Sequence, residues 1–207
     1  EEYDQYAIAL SPLKRVVWAL VESGGETDPE RRDFVLQMPG RFPNVSGFIM
    51  DDYFKADGTA QLTLDELKEL EQKRKTAGGH TLPLYVVVYT NQLGLPIRDH
   101  LQHCDKITFW TWKSEDLADL EQSFARLEQI APDHPKLLGC YLWDFGNKAP
   151  MPLDRMQRQI EFGYALLESG RIEGMIFLEH GVCDIGLDTV NWTKAWIAEV
   201  GERSVLQ

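Results

Sequence analysis

The sequence predicts an α/β fold in which parallel strands, covered on both faces, alternate with helices. Three observations predict it. Six apolar, β-branched runs recur along the 207 residues. Most are nearly continuous in hydrophobicity rather than alternating, which is the pattern of strands buried on both sides. Helical patterns separate the runs, and repeated strand-then-helix units imply right-handed crossovers and a parallel sheet. Strand ends recur at intervals of about 20–40 residues, a spacing that suits a (β/α)8 barrel.

Taken in order, a short run YAIAL (6–10) reads as the remnant of a further element. The first strand is RVVWALVE (15–22), followed by a short helix over PERRDFVLQM (29–38). The second is VSGFIMDD (45–52). Its helix, within LTLDELKELEQKRKTAGG, opens with Thr63 and Glu66 at capping-box spacing and carries a stripe of Leu64, Leu67 and Leu70. Gly78 and Gly79 stop it. The third strand is PLYVVVYT (83–90), with a short helix over LPIRDHLQHC (95–104). The fourth is KITFWTW (106–112), and its helix starts at Ser114 with Leu117, Leu120, Phe124, Leu127 and Ile130 on one face. The fifth is LLGCYLWDF (137–145), followed by a helix that starts near Pro152 and stops at Gly170. The sixth is GMIFLEH (174–180). A last helix runs from Asp188 to Gly201 with Val190, Trp196, Ile197 and Val200 as core residues.

No Pro- or Ser-rich linker, low-complexity tract or internal break divides the chain, so residues 1–207 read as a single barrel-like domain. Six strands fall short of the eight a closed barrel needs. Two readings follow: a barrel whose first two units lie upstream of residue 1, making this the C-terminal part of a longer chain, or an open doubly wound sheet. No GxGxxG follows the first strand, and SGGETD (23–28) lacks the GK[ST] of a phosphate loop.

Composition narrows the function classes. The net charge is −12, which argues against nucleic acid or an anionic membrane surface as partner and suits a neutral or cationic small molecule. No run of about 18 apolar residues suggests a membrane span. EEYDQYAIALS lacks a signal-peptide pattern and an initiator Met, as a trimmed product or a fragment would. A soluble chain is expected, with compartment and oligomeric state left open. Cys104, Cys140 and Cys183 show no CxxC spacing and no disulfide framework. HExxH, SxxK-like and nucleophile-elbow motifs are absent.

In a barrel, chemistry gathers where strands end. The six ends are Glu22; Asp51, Asp52 and Tyr53; Tyr89, Thr90, Asn91 and Gln92; Trp110, Thr111, Trp112 and Lys113; Trp143, Asp144 and Phe145; and Glu179 with His180. On one rim these groups make an acidic cup lined by aromatics. Such a cup suits carbohydrate: aromatic rings stack on the C–H face of a sugar, and carboxylates and amides bond its hydroxyls. Asp52, Asp144 and Glu179 are the candidate catalytic carboxylates. Asp51, Glu22, Tyr89, Asn91, Trp110, Trp112, Trp143 and His180 are candidate substrate contacts. Adjacent strand residues face opposite sides, so Asp51 and Asp52 divide roles. Asp52, where the strand is ending, is favoured for the site, with Asp51 bonding a neighbouring loop.

With two further units upstream, GFIMDDYF becomes the fourth strand and LLGCYLWDF the seventh. That layout resembles the large clan of (β/α)8 glycoside hydrolases, with an acid/base ending strand four and a nucleophile ending strand seven. The resemblance implies an acid/base at Asp51 or Asp52 and a nucleophile at Asp144. The clan normally carries Glu at both positions, often after Asn, whereas this chain has Asp at both and Met50 before Asp51. In such enzymes one carboxyl is held protonated and the other ionised, and their separation decides retention or inversion. No cofactor is expected in this reading. In an alternative, Asp52, Asp144, Glu179, His180 and Asp184 hold a divalent metal for a sugar isomerase, epimerase or lyase. A third reading is a sugar-binding barrel without catalysis.

Overall fold

A computed structural model of the chain describes residues 2–76, 81–178, 181, 183–201 and 203. The chain divides into two compact units, Glu1–Val88 with Leu95–Ile107, and Tyr89–Gly94 with Thr108–Gln207.

In the first unit, α1 (Glu2–Ala9) occupies the stretch read as a remnant, and its Ala7 is buried while Tyr6 and Ile8 face solvent. Strand β1 (Val16–Val21) pairs in parallel with β2 (Val45–Met50), which pairs in parallel with β3 (Leu84–Tyr89). Leu20, Val21, Phe48, Met50, Leu84 and Val86 form the core, but the burial is not continuous as expected: Val17 of β1 is 39% exposed, and Ile49 and Tyr85 are half-buried. Helix α2 (Pro29–Gln37) starts where Asp28 accepts a 2.8 Å hydrogen bond from the Arg31 N–H, and Pro29 fills the first turn. Helix α3 (Leu64–Thr76) opens on the predicted capping box, in which Glu66 accepts from Thr63 N–H at 2.8 Å and Thr63 accepts from Glu66 N–H at 3.2 Å. Leu67 and Leu70 are buried and Leu64 half-buried, as the stripe requires. Gly78 and Gly79 lie outside the described residues. Helix α4 is short, Arg98–Leu101.

In the second unit, the strand order is β4 (Lys106–Trp110, of which Thr108 onward belongs here), β5 (Lys136–Tyr141) and β8 (Gly174–Leu178), with β5 and β8 parallel. The run LLGCYLWDF is not one strand. It stops at Tyr141, and Trp143–Asp144 (β6) turns back to pair antiparallel with Ala149–Pro150 (β7). The physical reason is the turn chemistry of Phe145-Gly146-Asn147-Lys148, where Lys148 takes a left-handed φ of 52°. Helix α5 (Leu120–Ile130) follows a 3-10 turn, Ser114–Asp119, rather than starting at Ser114. Leu117, Leu120, Phe124 and Leu127 are buried, and Ile130 only partly. Helix α6 (Leu153–Glu168) ends before Gly170, whose φ of 70° supplies the left-handed stop. In α7 (Asp188–Val200) Val190 is buried beside Thr189 and Thr193, but Ile197 is 41% exposed. Trp196, Ile197 and Val200 instead line a groove of 210 Å³ with Tyr164 and Phe177, so the expected core stripe is only partly a core. No helix among the described residues is long and apolar enough to cross a membrane.

Candidate functional site

The strand ends of each unit carry a distinct arrangement. In the first unit, Glu22 directly follows β1. Its carboxylate accepts the Tyr3 hydroxyl at 2.8 Å and pairs with Arg31 at 3.1 Å. Burial, the hydrogen bond to Glu22 and the negative charge beside it push the Tyr3 phenol up to about 12.

Asp51 and Asp52 follow β2. The Asp51 N–H extends the ladder to the Val21 carbonyl at 2.9 Å, so Asp51 is fixed by the sheet. Asp52 leaves it by adopting φ 43°, a left-handed conformation that Asp tolerates better than most residues. The Asp52 N–H donates to the Asp51 carboxylate at 2.9 Å, and the Asp52 carboxylate accepts from the Gly24 N–H at 2.7 Å. The bond to a neighbouring loop, expected of Asp51, is therefore made by Asp52. Asp51 is half-buried, and its carboxyl is raised above the usual carboxylate range by desolvation and then by the Asp52 charge. Next, Tyr53 is fully buried, and its hydroxyl meets His100 Nδ1 at 2.9 Å. His100, half-buried, is thus the partner of this phenol, and burial lowers its basicity.

In the second unit, aromatics converge. Tyr89 and Tyr141 contact the Trp112 ring edge-on, with centroids 5.8 and 6.0 Å away, and Phe145 stacks on it at 5.7 Å. Tyr89 and Tyr141 are buried, whereas Trp112 is 39% exposed, so an open indole is braced from beneath. The Gly146 N–H donates to the Trp112 carbonyl at 2.9 Å, and a Cβ on Gly146 would lie 2.9 Å from Trp112 Cδ1 and collide with the Lys113 side chain. Trp110 takes another course. It is 6% exposed, lies over Gly139, and donates its indole N–H to Thr108 at 2.9 Å. Trp110 is thus part of the packing, and the exposed indole is that of Trp112. Asn91 is exposed and Trp143 half-buried.

Asp144 is 2% exposed. One oxygen accepts from the Asn147 N–H at 3.0 Å, and the other from Asn147 Nδ2 at 2.9 Å and the Ser114 N–H at 3.2 Å. Burial acts to raise its pKa, but these hydrogen bonds outweigh burial and hold the carboxyl below its usual range. Asn147 also donates to Glu115 at 2.6 Å. The Asp144 carboxylate thereby ties the turn after β6 to the segment that carries Trp112. Glu179 and His180 lie outside the described residues, and Asp184 is exposed. Among the described residues no group of three His, Cys, Asp or Glu could hold a metal ion.

Tyr141 and Arg31 do not stand out in the sequence. Gly146 carried a signal, because WDFGN is a turn-forming run. Tyr141 carried none, being one apolar residue in an apolar strand.

No family model and no curated protein matches this sequence. Among solved structures, the chain is similar to the crystal structure of a putative alpha-L-fucosidase from Bacteroides thetaiotaomicron. The identity is 12% and the TM-score 0.60, over 84% of this chain and 62% of that one. It is also similar to a beta-glucuronidase from Ruminococcus gnavus in complex with uronic deoxynojirimycin. There the identity is 11% and the TM-score 0.48, over 86% of this chain and 35% of that one. The chain thus spans 62% of the length of the first structure and 35% of the second. The fold is α/β and partial TIM-barrel-like, as in the fucosidase structure, and the resemblance to glycoside hydrolases holds at fold level.

Proposed function

We propose that the chain acts on carbohydrate as a glycoside hydrolase-like protein, with Trp112 as the sugar-stacking platform. The observation that carries this reading is an exposed indole braced by Tyr89, Tyr141 and Phe145 just past a strand end. A rigid aromatic face costs little entropy to bind an apolar sugar face, and Asn147 and Glu115 supply polar groups beside it. In this reading the first unit carries its own candidate proton donor, Asp51, which directly follows β2 and whose half-buried carboxyl is held above the ordinary range. Asp144 keeps the platform loop in place, and Asp52 supports Asp51.

A second reading is sugar binding without catalysis. It is favoured by the Glu22–Arg31 ion pair and by the three donors engaged on Asp144. One experiment separates the two. Full-length protein is tested with neutral oligosaccharides for binding and with aryl glycosides for hydrolysis. Trp112→Ala is expected to weaken binding at least about tenfold in either reading, the scale of one lost aromatic contact. Asp51→Asn is expected to cut hydrolysis about 10²–10⁴-fold with binding retained, the usual contribution of a general acid. Binding without hydrolysis would leave the second reading, and no binding of any sugar would overturn both.

A further inference from the structure

Asp52 stands at a junction. Its carboxylate accepts the Gly24 N–H at 2.7 Å, its carbonyl accepts Gln61 Nε2 at 3.3 Å, and its own N–H donates to the Asp51 carboxylate at 2.9 Å. An extended Asp52 would continue the strand, whereas φ 43° turns the chain out of the sheet directly after the N–H that the Asp51 carboxylate accepts. The Gly24 bond holds that turn from the facing loop, in which Gly24 and Gly25 have φ of 80° and 75°. Gly25 is enclosed as well, since a Cβ there would overlap the Gln61 amide and lie 3.1 Å from the Asp52 carbonyl. Two glycine-dependent conformations and two side-chain ties thus converge on one residue, and the free end of the arrangement is the Asp51 carboxyl.

We propose that Asp52 is a positioning residue, anchored by Gly24 and Gln61, that aims the Asp51 carboxyl and sets the charge beside it. This rests on the reading of Asp51 as the proton-bearing group. Asp52 acts on Asp51 in two opposite ways. Its negative charge favours the protonated acid, and its N–H favours the carboxylate. An isosteric amide separates the two, because Asn keeps an oxygen for Gly24 and removes only the charge. Glycine removes both the charge and the Gly24 tie while allowing the left-handed turn.

The test is a carboxyl-carbon NMR titration of Asp51 in the wild type, Asp52→Asn and Asp52→Gly, with Gly24 amide exchange followed in the same samples. The proposal predicts a lower Asp51 midpoint in Asp52→Asn with Gly24 still protected. In Asp52→Gly it predicts a lower midpoint together with faster Gly24 exchange. An Asp51 midpoint unmoved in folded Asp52→Asn would overturn it, as would Gly24 exchange in Asp52→Gly equal to wild type. Glycoside hydrolysis is assayed separately. A wild type that hydrolyses nothing, with the titration shift present, would sink the hydrolase reading and leave the positioning role standing.

Discussion

Gly139 leaves no room for a methyl group, because a Cβ there would overlap the Trp110 indole. Gly139→Ala is therefore expected to destabilise the protein by about 1–3 kcal/mol, the range for overpacking a core, measured as a shift of the urea midpoint at constant slope. The two acids discussed above have opposite pH signatures. Asp144 has a folded pKa below its unfolded value, so its stabilisation is present above the unfolded pKa of about 4 and is lost as pH falls through the lower folded one. Asp144→Ala, which strands the Ser114 and Asn147 donors, is expected to cost about 1–3 kcal/mol at neutral pH and to flatten the acid limb of the stability curve. Asp51 has a raised folded pKa, so it costs stability as pH rises past its unfolded value. Asp51→Asn is expected to raise the unfolding temperature at pH 7 while activity falls, the trade-off common at functional sites. A lower unfolding temperature for Asp51→Asn would contradict that account. The bond of Asp144 to Asn147 lies in the turn-forming run Phe145-Gly146-Asn147 and was legible in sequence, but the longer-range ties were not. The Asp144 partner Ser114 lies thirty positions away in sequence, and the left-handed turn of Asp52 is set by Gly24 across the chain.

At the scale of elements, starts were more legible than ends. Asp28 and the Thr63–Glu66 box cap their helices through local hydrogen bonds, which short motifs encode. Thr63→Ala is expected to cost about 1 kcal/mol in urea unfolding, with little effect on sugar binding. Strand ends are another matter, because pairing with a neighbour decides where a ladder stops. Period two puts Trp110 and Trp112 on one face, yet β4 ends at Trp110. Only the residue inside the strand is packed over Gly139, and the one beyond it opens to solvent. The same logic split LLGCYLWDF at Leu142, since hydrophobicity continues through Trp143 while the ladder does not.

At the scale of the whole molecule, the α/β class followed from continuous apolar runs alternating with amphipathic stripes, signals strong enough to survive errors of a few residues at each boundary. The division into two compact units left no mark in composition, because it runs through strands rather than a linker. The aromatic base beneath Trp112 was half legible. Tyr89 and Trp112 stood out as strand-end aromatics, but their direct contact, and the packing of Tyr141 and Phe145 on the same indole, are products of the fold. Carbohydrate recognition at that indole is the central claim. Its most direct measurement is the NMR signal of the Trp112 side-chain N–H, assigned by its loss in Trp112→Ala, during titration with neutral oligosaccharides. The account predicts a saturable shift of that signal, with the buried Trp110 signal scarcely moved. A Trp112 signal that no oligosaccharide displaces would contradict it.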